Sequence, residues 1–204
     1  HPQSMLLSLN QVQLETPLDQ TGECIVLTEL IVPRNGIARR AAVKSVTLQK
    51  GKRNFARQAL YETALLKEKV DGPFGLKVSV TRPMKHPELN QFLRQLLATS
   101  IESSSNWLQS SFITHHLLDA VLDEAGQQLA DRVLEAESFV ASGGLDLDAE
   151  ALTSGKIKIP LKLTQTLRRS DLPPGPQSRD KRKSQAKTYR KGMEIGQIVL
   201  DLLT

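Results

Sequence analysis

The amino-acid sequence predicts an α+β protein, mainly an antiparallel β-sandwich with a two-helix insertion between about residues 87 and 137. Runs in which aliphatic and polar residues alternate lie on both sides of that insertion, which is typical of antiparallel strands. Within the insertion, apolar residues recur at helical spacing. Of the 204 residues, 39% are hydrophobic and 24% are charged, which is typical of a soluble globular protein and excludes collagen, disulfide scaffolds and disorder throughout. A single domain over residues 5–204 follows, because strands need partners across a core and helices need a face on which to pack.

Five runs in the first part of the chain are rich in β-branched and aliphatic residues and predict strands. They are residues 5–15, 23–33, 42–49, 59–70 and 73–81. The run 59–70 also fits helical spacing, and we interpret it as a strand because Asp71-Gly72 follows it directly. Asp-Gly between two such runs predicts a β-hairpin.

The helical insertion begins at Pro87, which suits the first position of a helix. One helix is predicted to about residue 101, and a second over residues 111–137. Strands are then predicted near residues 156–164 and 193–203. Pro160 falls among the apolar positions of the first of these, which indicates an edge strand or a bulge. Residues 170–187 are rich in proline and charge and predict a mobile basic loop.

The N-terminal residues His1 to Ser4 resemble an expression remnant before Met5, and we exclude them from the fold prediction. No run approaches the roughly 20 apolar residues that span a bilayer, and no signal peptide is recognised. Cys24 is the single cysteine, so an internal disulfide is excluded, which favours a reducing compartment. A cytoplasmic location is therefore favoured, and peripheral association with a membrane stays open.

Positive charge is concentrated in two segments, although the net charge is only +5. Residues 34–57 contain eight basic and no acidic residues, and residues 168–191 contain nine basic and two acidic ones. These segments together carry +15, against −10 in the remaining residues. Such segments either are ordinary solvated loops or bind a polyanion if they meet on one face.

We predict a non-catalytic binding module whose basic loops engage an anionic partner, either a membrane surface or an acidic macromolecule. The predicted anion-binding residues are Arg39, Arg40, Lys52, Arg53, Arg57, Lys181, Arg182, Lys183, Arg190 and Lys191. Alternatives are a scaffold or assembly subunit, a protein that binds the nucleic-acid backbone, and a metal-dependent hydrolase. With 4% aromatic residues, the sequence offers little for base stacking, so recognition of backbone charge is favoured over sequence reading.

Motifs for catalysis or cofactor binding are weak. His116, Asp119 and Asp123 share one side of the predicted second helix, but that side is opposite its apolar stripe and is expected to face solvent. Asp146 and Asp148 precede Glu150 without the spacing of a calcium loop. Glycine-rich phosphate-binding motifs are also missing from the sequence. We therefore predict no catalytic residue, no metal and no small-molecule cofactor.

The number of predicted strands and the placement of the charged loops are similar to those of C2-type β-sandwich domains. In that family, loops at one end of the sandwich engage a membrane or a protein. The resemblance thus implies binding through end loops, and the two basic segments favour charge attraction that does not depend on calcium.

Overall fold

The structure, a computed structural model, describes residues 1–31, 40–85, 87–88, 91, 120–122, 139–172 and 187–204. Within these ranges, strands predominate. The strands are β1 Gln3–Leu14, β2 Gly22–Ile31, β3 Arg40–Leu48, β4 Lys52–Asn54, β5 Ala64–Val70, β6 Pro73–Thr81, β7 Ala120–Leu122, β8 Phe139–Asp148, β9 Gly155–Leu163, β10 Leu167–Arg168, β11 Thr188–Tyr189 and β12 Glu194–Leu203. A short α-helix, α1, covers Leu60–Thr63, and 3-10 turns cover Ala149–Ala151 and Arg169–Asp171.

Ten of the described strands form one antiparallel sheet, and β10 and β11 form a separate two-stranded ribbon. The order in the sheet is β4-β1-β12-β9-β8-β6-β2-β3-β7, with β5 also beside β1. Arg40 on β3 lies 3.6 Å from Glu68 on β5, so the two flanks approach each other and the sheet is nearly closed. The mainly antiparallel β prediction is confirmed. The predicted pair of facing sheets is replaced by one continuous sheet, because β8 and β9 are themselves hydrogen-bonded neighbours.

The hydrophobic core lies on one face of this sheet, which we call the inner face. Alternation along β9 shows how the sequence produces it. Ile159, Leu161 and Leu163 are buried, whereas Lys158 and Lys162 are exposed, as the period of two in a strand requires. Strands β1, β2, β6 and β12 add further aliphatic residues to the same core. Burial of this apolar surface is the main force that stabilises the sheet.

Strand β2 is buried on both faces, which explains its nearly continuous apolar sequence. Val26 and Thr28 point to the inner face, and Ile25 and Leu27 point to the outer face, yet all four have an exposed fraction of 0%. A strand that is covered on both sides has no solvent-facing positions for polar residues. Period-two alternation is therefore lost in this strand.

The strand predictions for residues 5–15, 23–33, 42–49 and 73–81 are confirmed by β1, β2, β3 and β6. The run 59–70 divides into α1 and β5. The hairpin predicted at Asp71-Gly72 is wrong, since β5 pairs with β1 and β6 pairs with β2 and β8. The connection turns, with Gly72 at a φ of 67°, but it links two strands that are not neighbours.

Most of the predicted two-helix insertion lies outside the described residues. The insertion is not confirmed, since only Pro87, Glu88 and Gln91 of its first predicted helix are described, as helical residues. Ala120–Leu122 instead form β7, with Val121 opposite Ala42 on β3. An uninterrupted helix over residues 111–137 is therefore wrong at this point, because these residues complete backbone hydrogen bonds along the edge of β3.

The strand β8 was not predicted from the sequence. The sequence has two consecutive glycines here, Gly143-Gly144, which are typical of turns, and its Asp146 and Asp148 are residue types that are common in loops. In the structure, β8 pairs with β6 from Phe139 to Asp148, and its aspartates are exposed while the intervening Leu147 packs against the core. The pattern is thus ordinary strand alternation that the two glycines obscured.

The C-terminal strand predictions are confirmed by β9 and β12. At Pro160, β9 pairs with β12, whereas its register pairing with β8 is confined to Leu163 and Lys162, so the proline lies beyond the paired part of β8 and β9. Residues 173–186 of the predicted basic loop lie outside the described residues. Gln3 and Ser4, which the sequence analysis set aside, form the start of β1.

Candidate anion-binding site

The structure describes six of the ten predicted anion-binding residues. These are Arg40, Lys52, Arg53, Arg57, Arg190 and Lys191. The other four lie outside the described residues: Arg39, Lys181, Arg182 and Lys183. Both basic segments therefore contribute described residues, and the strand register places them relative to one another.

The first basic segment is divided between the two ends of the sheet. Arg40 begins β3 at the end opposite the β3–β4 turn, and it forms an ion pair with Glu68. Lys44 is buried, with an exposed fraction of 6%, and faces inward opposite Val26. Arg57 is exposed in the connection between β4 and α1, beside the middle of β1. Arg40 and Lys44 are separated from Lys52 and Arg53 because β3 carries the chain along the whole length of the sheet. Arg57 is separated from them because it follows β4, which runs back along β1.

Lys52 and Arg53 lie at the other end, on the short strand β4. The hydrogen-bonding register places Lys52 opposite Gln13 and Arg53 opposite Val12 near the end of β1. The turn that leads into β4 contains Lys50, whose φ of 50° is left-handed, and Gly51. Gly51 accepts a hydrogen bond from the backbone N–H of Leu14 at 2.7 Å, which fixes this turn against β1.

Arg190 and Lys191 lie in the turn that precedes β12. The Gly192 N–H donates a hydrogen bond to the Leu163 carbonyl at 2.8 Å, and the Lys191 N–H donates to Thr166 Oγ1 at 3.4 Å. Both basic side chains are exposed. Since β12 begins where β1 ends, with Leu14 opposite Gly196, this turn lies at the same end of the sheet as β4.

Strand β1 joins the two basic segments. Gln13 pairs with Lys52 on one side and with Gln197 on the other. Because neighbouring strands are about 4.8 Å apart, β4 and β12 are separated by roughly 10 Å at this level. The two segments, more than 100 residues apart in the sequence, therefore flank the same end of one strand.

Three further basic residues belong to this end, and the sequence analysis did not select them. Lys50 lies in the β3–β4 turn, and Arg168 and Lys187 belong to or adjoin the β10–β11 ribbon that links β9 with β12. These residues lie at this end of the sheet because of how the strands are paired and connected, which the sequence alone does not reveal. We call this group the basic end and define it as Lys50, Lys52, Arg53, Arg168, Lys187, Arg190 and Lys191.

Two cations of the basic end rest on aromatic rings that belong to the core. The guanidinium carbon of Arg53 lies 5.3 Å from the centre of the Phe55 ring, and Lys187 Nζ lies 5.2 Å from that of Tyr189. Both rings are buried, with exposed fractions of 7% and 3%. Such cation–π contacts hold the charged groups in position without neutralising them.

Acidic side chains are fewer at this end. Glu15, Asp19 and Glu194 lie near it, and among the described residues none forms an ion pair with a member of the basic end. The positive side chains of the two turns are therefore available to an external anion. Within the described ranges, seven basic residues thus lie at this end of the sheet, near these three acidic ones.

Other candidate sites receive less support. The Cys24 thiol is fully buried, and burial raises its pKa from 9.0 to about 12, so that it is a poor nucleophile at neutral pH. Within the described ranges, no group of three histidine, cysteine or acidic residues is arranged to hold a metal ion. The three residues that share one side of the predicted second helix, His116, Asp119 and Asp123, lie outside those ranges. No helix among the described residues has the length and hydropathy needed to cross a membrane.

Comparison with known proteins finds no matching family model, no matching curated protein and no matching solved structure. The resemblance to C2-type domains therefore receives no support from these comparisons.

Proposed function

We propose that this protein is a non-catalytic binding module that engages an anionic surface through its basic end. The observation that carries the proposal is the strand register, in which Gln13 on β1 lies between Lys52 and the start of β12. Lys52 and the turn of Arg190 and Lys191 come from segments that are distant in sequence and lie at the same end of β1, which supports a single patch. A polyanion with regularly spaced negative charges gains from several such cations at once, since each exposed Lys or Arg near an anionic surface contributes about 1 kcal/mol.

The side chains of the patch suit charge recognition more than base recognition. Phe55 and Tyr189, the aromatic residues beside its cations, are buried in the core and leave no ring face free for a stacked base. The cations themselves lie on β4, on the turns that precede β4 and β12, and on or beside the ribbon. This arrangement favours contact with phosphate groups in many orientations.

Reversing two charges tests the proposal directly. The double variant Lys52→Glu, Lys191→Glu removes one cation from each segment, and the matched control Lys67→Glu, Lys69→Glu reverses two exposed charges on β5 at the other end of the sheet. Loss of two contacts of about 1 kcal/mol each corresponds to roughly 30-fold weaker binding. The probes are vesicles with and without an anionic lipid, and duplex DNA, each titrated across salt concentrations.

We expect the control to bind as the wild-type protein does, and we expect affinity to fall with increasing salt. Equal weakening by the two double variants would show that net charge acts without a site. If the wild-type protein binds neither probe at low salt, the proposal is wrong.

A second candidate function is an assembly subunit, which one observation favours. Leu60 and Tyr61 on α1 are exposed to 48% and 82%, unlike most large hydrophobic residues of the described ranges. Light scattering distinguishes this function: a stable oligomer that Lys52→Glu, Lys191→Glu leaves intact and Tyr61→Ser disrupts supports assembly.

A further inference from the structure

Met193 is a large hydrophobic residue that is exposed within the basic end. Its exposed fraction is 45%, and it follows Arg190, Lys191 and Gly192 directly in the turn before β12. The other large hydrophobic residues that are exposed in the described ranges lie elsewhere, on α1 and at the end of β12: Leu60, Tyr61 and Leu203. A single exposed hydrophobic residue is ordinary on a protein surface. Met193 differs in that it directly follows two exposed cations, so that one turn presents both apolar and positively charged side chains.

The exposure of Met193 is built into the sheet. Its N–H donates a hydrogen bond to the Arg190 carbonyl at 3.2 Å, and its carbonyl accepts one from the Leu163 N–H at 2.9 Å. Gly192 has a φ of 87°, a left-handed conformation that lets the chain turn sharply between Lys191 and Met193. The backbone of the turn is thus held by the protein, while its apolar and basic side chains are directed to solvent.

A nucleic acid and a lipid bilayer make different use of such a turn. Phosphate groups of a duplex bind the cations, but they offer nothing to a methionine side chain. An anionic bilayer offers negative headgroups and, several ångströms deeper, an apolar region. The two kinds of side chain in this turn match those two layers.

We propose that the partner of the basic end is an anionic lipid bilayer, with Met193 inserted among the acyl chains and Arg190 and Lys191 at the headgroup phosphates. This inference rests on the proposed function, in which the basic end binds anions. It adds the identity of the surface and the residue that enters it. The flexible methionine side chain adapts to the irregular packing of lipid chains.

Insertion is measured with an environment-sensitive probe at residue 193. The variant Met193→Cys is labelled with a nitrobenzoxadiazole group, and the label is confined to this site because Cys24 is fully buried with a pKa of about 12. Lys69→Cys, an exposed position at the other end of the sheet, carries the same label as a control. With phosphatidylcholine vesicles that contain phosphatidylserine, we expect the emission of the label at residue 193 to become brighter and shift to the blue. The emission of the label at residue 69 should not change.

A second measurement uses unlabelled protein. Met193→Gln keeps the length of the side chain and removes its apolar character, and it should weaken binding to these vesicles about tenfold, the effect of losing one buried apolar side chain. Its thermal unfolding should match that of the wild-type protein, because residue 193 contributes no side chain to the core. Unchanged vesicle binding of this variant would contradict insertion.

The outcomes separate the two proposals. Vesicle binding with a probe at residue 193 that stays in water overturns the inference and leaves anion binding standing. Binding to duplex DNA but not to anionic vesicles likewise overturns the lipid inference and leaves anion binding standing. Binding to neither overturns both.

Discussion

Gly143 lies where β8 comes closest to β9, beside the strands that support the basic end. It faces inward opposite Val78, and an added Cβ would lie 2.0 Å from the Pro160 carbonyl oxygen and 2.8 Å from Ile159 Cγ2. To restore an ordinary contact of 3.4 Å, that carbonyl would have to move by the difference, about 1.4 Å. Because the carbonyl is backbone, the whole of β9 would have to move with it.

The cost of Gly143→Ala follows from what this movement disturbs. In the described residues, β9 is held to β8 through two register pairs, Ala141–Leu163 and Ser142–Lys162. Overpacking of a filled core costs about 1–3 kcal/mol, and each weakened hydrogen bond adds about 1 kcal/mol. We expect the free energy of unfolding to fall by roughly 3 kcal/mol, and the midpoint of thermal unfolding to fall by about 6–12 °C for a chain of this size.

Urea denaturation followed by far-ultraviolet circular dichroism measures this change. Gly155→Ala is the matched control, because no atom lies within 4 Å of a Cβ added at that position of β9. It should be neutral or stabilising by up to about 1 kcal/mol, since it removes conformational freedom from the unfolded chain. If Gly143→Ala unfolds at the same urea concentration as the wild-type protein, the close approach of β8 and β9 is refuted.

Three further predictions concern stability and reactivity. Leu7→Ala removes a fully buried side chain on the inner face of β1 and should cost about 2–5 kcal/mol in urea denaturation; a loss under 1 kcal/mol would contradict the core assignment. Cys24 should resist thiol reagents at pH 8 until urea unfolds the protein. Its folded pKa of about 12 exceeds its ordinary value of 9.0, so its contribution to stability is fully present below pH 9 and is lost as the pH rises toward 12, which thermal unfolding across that range would show. Glu68→Gln breaks the partly exposed ion pair with Arg40 and should cost under about 1 kcal/mol, a difference that should shrink as salt is added; a larger loss would indicate that this pair holds β3 against β5.

Local patterns in the sequence were sufficient for several elements. Alternation of lysines and aliphatic residues predicts β9, and it does so because successive side chains of a strand point to opposite faces. The same alternation was not recognised in β8, because Gly143-Gly144 lie within it and are typical of a turn. Leu145 and Leu147 nevertheless alternate with exposed aspartates. The uneven distribution of basic residues along the chain could also be read directly.

Strand partners could not be read from the sequence. β1 pairs with β12, whose residues are about 190 positions away, and the strands on either side of Asp71-Gly72 are not paired with each other. Side-chain alternation indicates which face of a strand is buried. Which strand pairs with which depends on how all the inner faces together fill one core. Short turns favour a local partner, and here the long-range packing overrides that preference.

The sequence by itself therefore determined the antiparallel β character, the main strands and the presence of two basic segments. Only the tertiary structure decided that Arg40 is paired at one end of the sheet, while Lys52 and the turn of Arg190 and Lys191 lie on either side of β1 at the other. The physical reason is that the net charge of a segment is a sum over its residues, which the sequence gives directly. The attraction of those charges for an anion depends on how far apart they are in space, which the fold sets. Hydrogen bonding on both sides of β1 sets that distance for the basic end.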